Sequence, residues 1–178
     1  DLQDSVRTVM VVENFIKIYE RSFIENWDLP ALTDYVSKRT LSYADMATTI
    51  AKIHTLFDSL GFRPGVKIAL CGRDSINWVL VYMATVTYGG VIVPILSDFN
   101  PVDITHIVNH SEAELFLVSP HIWEQIEPDT LLNVKGVIAI DDMQVLHEPF
   151  GSEVSHARRL LNRRFRRMYP EGYTSEDI

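Results

Sequence analysis

The stretch "TYGGVIVPILSDFNP", Thr87 to Pro101, decides the fold. Gly89-Gly90 can close a helix, because glycine accepts the left-handed backbone of a helix terminus and lets neighbouring backbones approach. "VIVPIL", Val91 to Leu96, is a continuous apolar run rich in β-branched residues. That is the pattern of a strand covered on both faces. Pro94 disturbs it: proline has no N–H for a ladder, so it implies an edge position, a bulge or the end of the strand. Asn100 then caps a new helix with Pro101 at its first position.

The same alternation extends in both directions. Upstream, Ser42 with Asp45 three residues on forms a capping-box pattern. Met46, Ile50, Ile53, Phe57 and Leu60 follow as one apolar stripe, and Gly61 stands where the helix stops. "VKIALC", Val66 to Cys71, reads as a short buried strand. Ser75 caps a helix from Ile76 to Tyr88 that is apolar nearly all round, which predicts a buried helix. Downstream, Ile104, Ile107 and Val108 form the inner face of the helix that Asn100 opens. "ELFLV" (Glu114 to Val118) is a strand, Ser119-Pro120 opens a short helix through Gln125, and "GVIAID" (Gly136 to Asp141) is another strand. A loop then leads to Ser155 and a final helix.

Nearer the start, Val9 to Trp27 reads as an amphipathic helix carrying Val12, Phe15, Ile16, Tyr19 and Phe23 at helical spacing. Leu29-Pro30 ends it, and "ALTDYV", Ala31 to Val36, alternates like a strand. Strand–helix alternation of this kind predicts an α/β fold of three layers, a mostly parallel sheet flanked by helices.

Composition narrows the function. The chain has 178 residues, 47% of them hydrophobic, enough to bury a core. Its net charge of −8 argues against nucleic acid as a partner, which needs a basic surface. One cysteine, Cys71, excludes an internal disulfide and fits a reducing, cytoplasmic compartment. Ile76 to Leu96 is the longest apolar run, and Thr85, Thr87 and the glycine pair break it before it could span a bilayer. The chain begins at Asp1 rather than Met, which implies processing or a designed start.

The charge is uneven. From His156 to Pro170, "HARRLLNRRFRRMYP" holds six arginines and no acid, so 10 bases elsewhere face all 24 acids. Ala157, Leu161, Phe165 and Met168 fall on one face of this helix. Residues 156–170 thus form a basic amphipathic helix, the pattern of peripheral contact with an anionic membrane. Docking on the chain's own acidic body is the competing reading.

Few residues suggest chemistry. In open parallel sheets, ligands bind beyond the carboxyl ends of the strands. The loops there are Gly72 to Ser75, Ser97 to Asn100 and Ser119-Pro120, and none carries a phosphate-cradling glycine motif. Backbone amides and Arg73 in "CGRDS" could face an anion, but a plain turn explains the same residues. Cys71 has no basic partner in sequence to activate it, as a nucleophile would need. His106 and His110 in "HIVNH" have a zinc-compatible spacing. Ile107 holds the place of the general-base glutamate, and no third ligand stands out.

Several motifs together resemble the N-terminal part of the AMP-forming adenylating enzymes: acyl-CoA synthetases, amino-acid adenylation domains and luciferases. They are Leu41-Ser42-Tyr43 opening a helix, the Leu60 to Gly65 turn, the Asn77 to Tyr88 helix, the Gly-Gly-Val-x-Val-Pro strand, and "HSEA", His110 to Ala113. Pro94 belongs to that pattern. Within the superfamily, Glu13 to Tyr35 and Ile104 to Phe116 look like the long-chain fatty acid–CoA ligase branch. The resemblance covers Glu13 to Ile140 and implies that residues 1–178 are the N-terminal portion of the AMP-binding domain.

For the whole enzyme the resemblance implies a ligase that joins a fatty acid to ATP as an acyl-adenylate and passes the acyl group to CoA. ATP, Mg²⁺ and CoA are then the implied cofactors and partners. It also implies that the catalytic motifs are missing here. Tyr173-Thr174-Ser175 begins like the family's phosphate loop, but Glu176 replaces the glycine. We therefore expect no catalytic, cofactor-binding or metal-ligating residue in this chain, and no activity from it alone. A fragment of an amino-acid or aryl-acid adenylating enzyme is the alternative. A self-standing, non-catalytic α/β module that binds a partner or membrane is another. A sheet left open at its edge would invite a dimer by strand addition.

Overall fold

The computed structural model describes residues 14–178. The described residues divide into two compact units, residues 14–48 with 172–178, and residues 49–171.

In the first unit, α1 (Phe15–Glu25) starts where the side chain of Asn14 accepts from the Lys17 amide at 3.0 Å. The part of this helix expected before Asn14, with Val12, lies outside the described residues. Its apolar stripe is not a buried face: Phe15, Ile16 and Tyr19 are exposed, and only Phe23 is buried. The Phe23 ring meets that of Tyr43 edge to face, 5.1 Å between centroids. β1 (Pro30–Thr33) pairs antiparallel with β2 (Thr40–Ser42). The strand predicted to Val36 stops at Thr33, because Asp34 Oδ1 accepts the amides of Val36 and Ser37 and turns the chain.

The capping box forms as predicted. Ser42 N–H donates to Asp45 Oδ2 and Asp45 N–H donates to Ser42 Oγ, both at 3.0 Å. Two donors that the first turn of a helix would leave unmatched are satisfied. From this cap α2 (Tyr43–Ser59) runs into the second unit.

The second unit is an α/β layer structure around β3 (Lys67–Cys71), β4 (Val91–Ile95), β5 (Leu115–Val118), β6 (Gly136–Ala139) and β7 (Val145–His147). The order is β4-β3-β5-β6-β7. The first three pairings are parallel, and β7 runs antiparallel to β6. The predicted loop before Ser155 therefore contains a strand, too short at three residues to show a period. Between strands lie α3 (Ile76–Thr87), α4 (Pro101–His110) and α5 (Pro120–Trp123). A 3₁₀ turn (Pro128–Thr130) and α6 (Glu153–Met168) complete the unit. The short helix expected to Gln125 closes at Trp123.

Pleating divides the core in two. Ala69, Cys71, Phe116, Val118 and Val137 point to one face, where they cluster with Ile104 and Val108 of α4. Ile138 points to the other, beside Ile53 and Leu56 of α2, Leu80 and Val81 of α3, and Leu161 of α6. The sheet is thus flanked by helices on both faces.

Two expectations about the opening stretch change. β4 is not covered on both faces: it is the outer strand, and Val91 is 46% exposed. A continuous apolar run does not distinguish a central strand from an edge strand that has one covered end. Nor is α3 buried all round, since Tyr82 is exposed and the buried residues are Ile76, Leu80, Val81, Ala84 and Thr85.

Pro94 takes the edge position that its missing donor requires. Val91 N–H donates to Val66 O at 2.7 Å, so Val91, Val93 and Ile95 face β3 and Ile92 and Pro94 face outward. Gly89-Gly90 does two jobs. Gly89 sits at φ +84°, a left-handed helix end. A Cβ on Gly90 would lie 3.1 Å from both Thr85 and the Val66 carbonyl. His54 locks α2 to α3, its Nε2 lying 2.9 Å from Ala84 O and 3.0 Å from Thr87 Oγ1. Burial holds its pKa below the usual histidine value, so it is neutral at neutral pH.

Candidate functional site

The carboxyl ends of β3, β5 and β6 are tied to one another by backbone hydrogen bonds. Ser119 N–H donates to Cys71 O and Ile140 N–H to Val118 O, both at 3.0 Å. Asn77 Nδ2 donates to the carbonyls of Ile140 and Asp141 at 2.8 and 3.0 Å, tying the start of α3 to the end of β6. Gly72 lies so close to its neighbour that a Cβ there would stand 2.7 Å from Ser119 Oγ and 3.3 Å from Ile140. The glycine of "CGRDS" thus serves contact between two loops. Ser75 Oγ accepts from Trp78 N–H at 3.1 Å as the cap of α3, and Arg73 is exposed. These residues form a turn and a helix start.

Cys71 is fully buried at the end of β3, its Sγ 3.9 Å from Leu96 O. Burial pushes its thiol up to about 11. A thiol that stays protonated is a poor nucleophile. We expect Cys71 to resist a disulfide-exchange reagent at pH 8 in the folded chain and to react at once in denaturant. Fast reaction of the folded protein, followed by thiolate absorbance, would contradict this placement.

His106 and His110 sit on the exposed side of α4 with stacked rings, 5.8 Å between centroids. Among the described residues no group of three or more His, Cys, Asp and Glu side chains is placed to hold a metal.

Tyr173 to Asp177 form a closed turn. Thr174 N–H and Oγ1 donate to Asp177 Oδ2 at 2.7 and 3.0 Å, and Asp177 N–H donates back to Thr174 O at 3.0 Å. A carboxylate of the chain occupies the donors that a phosphate would need. In this turn the threonine donors are used within the chain. The signal in sequence is the Asp three places after the Thr, which the likeness to a phosphate loop obscured.

The arginine-rich helix departs from the membrane pattern in one respect. Val154, Ala157 and Phe165 are buried, so most of the apolar stripe of α6 faces the unit's own core, while Met168 at its end is exposed. Arg158 Nη1 donates to Gln144 Oε1 at 3.1 Å, and Arg164 Nη1 donates to Ser59 Oγ. Lys52 Nζ lies 5.4 Å from the centre of the Phe165 ring. Arg159, Arg163, Arg166 and Arg167 remain on the exposed face. No helix among the described residues is long and apolar enough to cross a membrane.

Comparison with known proteins bears on the family and the fold. The profile of the family described as AMP-binding enzyme matches residues 20–167. A nonribosomal peptide synthetase of a Lecanicillium species is 26% identical over 132 residues, covering 74% of this chain and 1% of that protein. Among solved structures, the anthranilate CoA ligase AuaEII, in complex with anthranoyl-AMP, superposes with a TM-score of 0.66 at 21% identity. That match covers 71% of this chain and 25% of the other. A protein described as a long-chain-fatty-acid CoA ligase from Rhodopseudomonas palustris gives a TM-score of 0.62 at 15% identity, over 74% of this chain and 34% of its own. The chain therefore spans a quarter to a third of these two structures, and about a hundredth of the peptide synthetase.

Proposed function

We propose, from the premise that this chain belongs to the AMP-binding enzyme family, that it is the N-terminal scaffold of a ligase activating long-chain fatty acids as acyl-adenylates for transfer to CoA. The observation that carries the family reading is the match over residues 20–167, which runs from the middle of α1 to the last turn of α6. The long-chain choice rests on the resemblance of Glu13 to Tyr35 and Ile104 to Phe116. ATP, Mg²⁺ and CoA are ligands of the whole enzyme in this reading, and this chain's own strand ends and terminal turn contribute no donors to them. Its work is to hold a sheet on which reactive loops from further polypeptide are mounted.

A second reading, an amino-acid or aryl-acid adenylating enzyme, is favoured by the peptide synthetase and anthranilate ligase matches. Exchange of radiolabelled pyrophosphate into ATP separates the two. The enzyme that carries this chain is expected to exchange at least tenfold faster with palmitate than with amino acids or benzoate. The reverse order would establish the second reading. The 178-residue chain by itself is expected to give no exchange with any acid, and measurable exchange would overturn the scaffold role.

In the same reading, pairing of two copies along the sheet would use one of its edge strands, β4 or β7. At the β4 edge Ile92 offers the outward amide, because Pro94 has none.

A further inference from the structure

The outer crest of α6 carries Arg159, Arg163, Arg166 and Arg167, all exposed. They line one shallow trough together with Asn162, so they share one side of the helix. Four residues of helix rise about 6 Å and eight about 12 Å, so the charges follow one another over roughly two turns. Arg158 and Arg164, on the flanks, donate to Gln144 and Ser59. The four crest arginines meet no carboxylate among the described residues.

This arrangement works against the helix that holds it. Arg159 with Arg163, and Arg163 with Arg166 and Arg167, are like charges three and four residues apart, which destabilise a helix. The helix dipole favours Arg166 and Arg167, which stand in the last turn, but Arg159 and Arg163 lie before it. A chain with 24 acids has none from Val154 to Pro170. The backbone beneath the crest is held in place, because Val154, Ala157 and Phe165 are buried. A ligand would therefore meet charges already fixed on one element, with little ordering left to do.

The surroundings select the kind of ligand. Exposed Glu153 precedes the cations and exposed Glu171 follows them, and outside residues 156–170 the chain has 10 bases against 24 acids. A bilayer or a nucleic acid is anionic over a wider area than this crest and would meet that acidic surface as well. A short acidic segment of a protein would not. Guanidinium forks accept carboxylates two bonds at a time. Met168 at the end of the crest is 55% exposed, and arginine and methionine are both enriched at protein interfaces.

We infer that the crest of α6 is a docking surface for an acidic helix of another protein, whose carboxylates recur at three- and four-residue spacing and pair with Arg159, Arg163, Arg166 and Arg167. A second copy of this chain does not supply such a helix. Among the described helices, α1 has Glu20 and Glu25, five residues apart, and none carries a row of acids at the required spacing. The inference does not depend on which acid the whole enzyme activates.

The test is fluorescence anisotropy of a fluorescein-labelled, alanine-based helical peptide with glutamates three and four residues apart along one face, titrated with the full chain. The peptide should bind saturably, and more weakly as salt is added. Its glutamine counterpart should bind at least tenfold more weakly, and a peptide with the same glutamates spread around the helix at least threefold more weakly. Arg163→Gln with Arg166→Gln should weaken the glutamate peptide at least tenfold without lowering the melting temperature, since the pair relieves repulsion. Arg63→Gln with Arg73→Gln, two exposed arginines away from α6, removes the same charge and should change binding less than twofold. Phosphatidylcholine vesicles containing phosphatidic acid, and a DNA duplex, serve as rival ligands and should bind more weakly than the peptide. Tighter binding of either rival, equal binding of the glutamine or the spread peptide, no binding of the glutamate peptide, or equal loss from the two arginine pairs would overturn the inference. So would a lower melting temperature of the Arg163 and Arg166 variant, which would give those arginines a structural role instead.

Discussion

Phe116→Ala is expected to cost the fold about 3–5 kcal/mol and to lower its melting temperature by roughly 6–20 °C. Phe116 is fully buried in β5, the strand between β3 and β6, and belongs to the cluster that also holds Ala69, Val118 and Val137. A central strand cannot move aside to fill the void, because parallel partners on both sides fix its register. Phe150→Ala serves as the control: that ring is 69% exposed, and its loss should change stability by less than about 0.5 kcal/mol. Chemical denaturation followed by tryptophan fluorescence gives both numbers. A loss at Phe116 no larger than that at Phe150 would show that β5 is not central.

The second large effect concerns Gly72. Replacement by valine should destabilise by about 1–3 kcal/mol, since its Cβ would stand 2.7 Å from Ser119 Oγ and 3.3 Å from Ile140. The cause is steric, because Gly72 is not among the glycines with positive φ. That makes a rescue possible. Gly72→Ala combined with Ser119→Gly removes the facing hydroxyl, and should recover at least half of the loss measured for Gly72→Ala alone. The double-mutant cycle is read from urea midpoints. Strict additivity of the two substitutions would mean that the residues do not touch.

Sequence and structure meet most closely where local chemistry decides. The Ser42–Asp45 box, the Asn100–Pro101 start of α4 and the left-handed Gly89 each solve a backbone problem inside a few residues, and each is readable there. Where a distant element decides, the reading fails in a definite way. "VIVPIL" says that something apolar covers the strand, but not that one flank is open. The stripe of α6 likewise says that an apolar surface lies beneath it, and both a bilayer and a protein core satisfy that pattern. Only packing shows that Val154, Ala157 and Phe165 meet the core. β7 is three residues long and carries no period to detect.

The candidate site divides in the same way. The raised thiol pKa of Cys71 follows from burial, which no motif encodes. The turn at Tyr173 to Asp177 contains its explanation locally, in a carboxylate three residues after the threonine. The arginine stripe was visible as charge, but the core beneath it was not, because that core comes from α2, α3 and β6, which are far apart in the chain.

Pro94 has a bearing on how the polypeptide behaves while it is being made. A ribosome releases β4 well before β5 can shield its partner β3, and a nascent ribbon of this greasiness would ordinarily zip onto identical ribbons on neighbouring polysomes. An imino acid in the middle of it takes away the outward donor at Pro94 and leaves the one at Ile92, so the property that looked like a flaw in the strand weakens such a zipper.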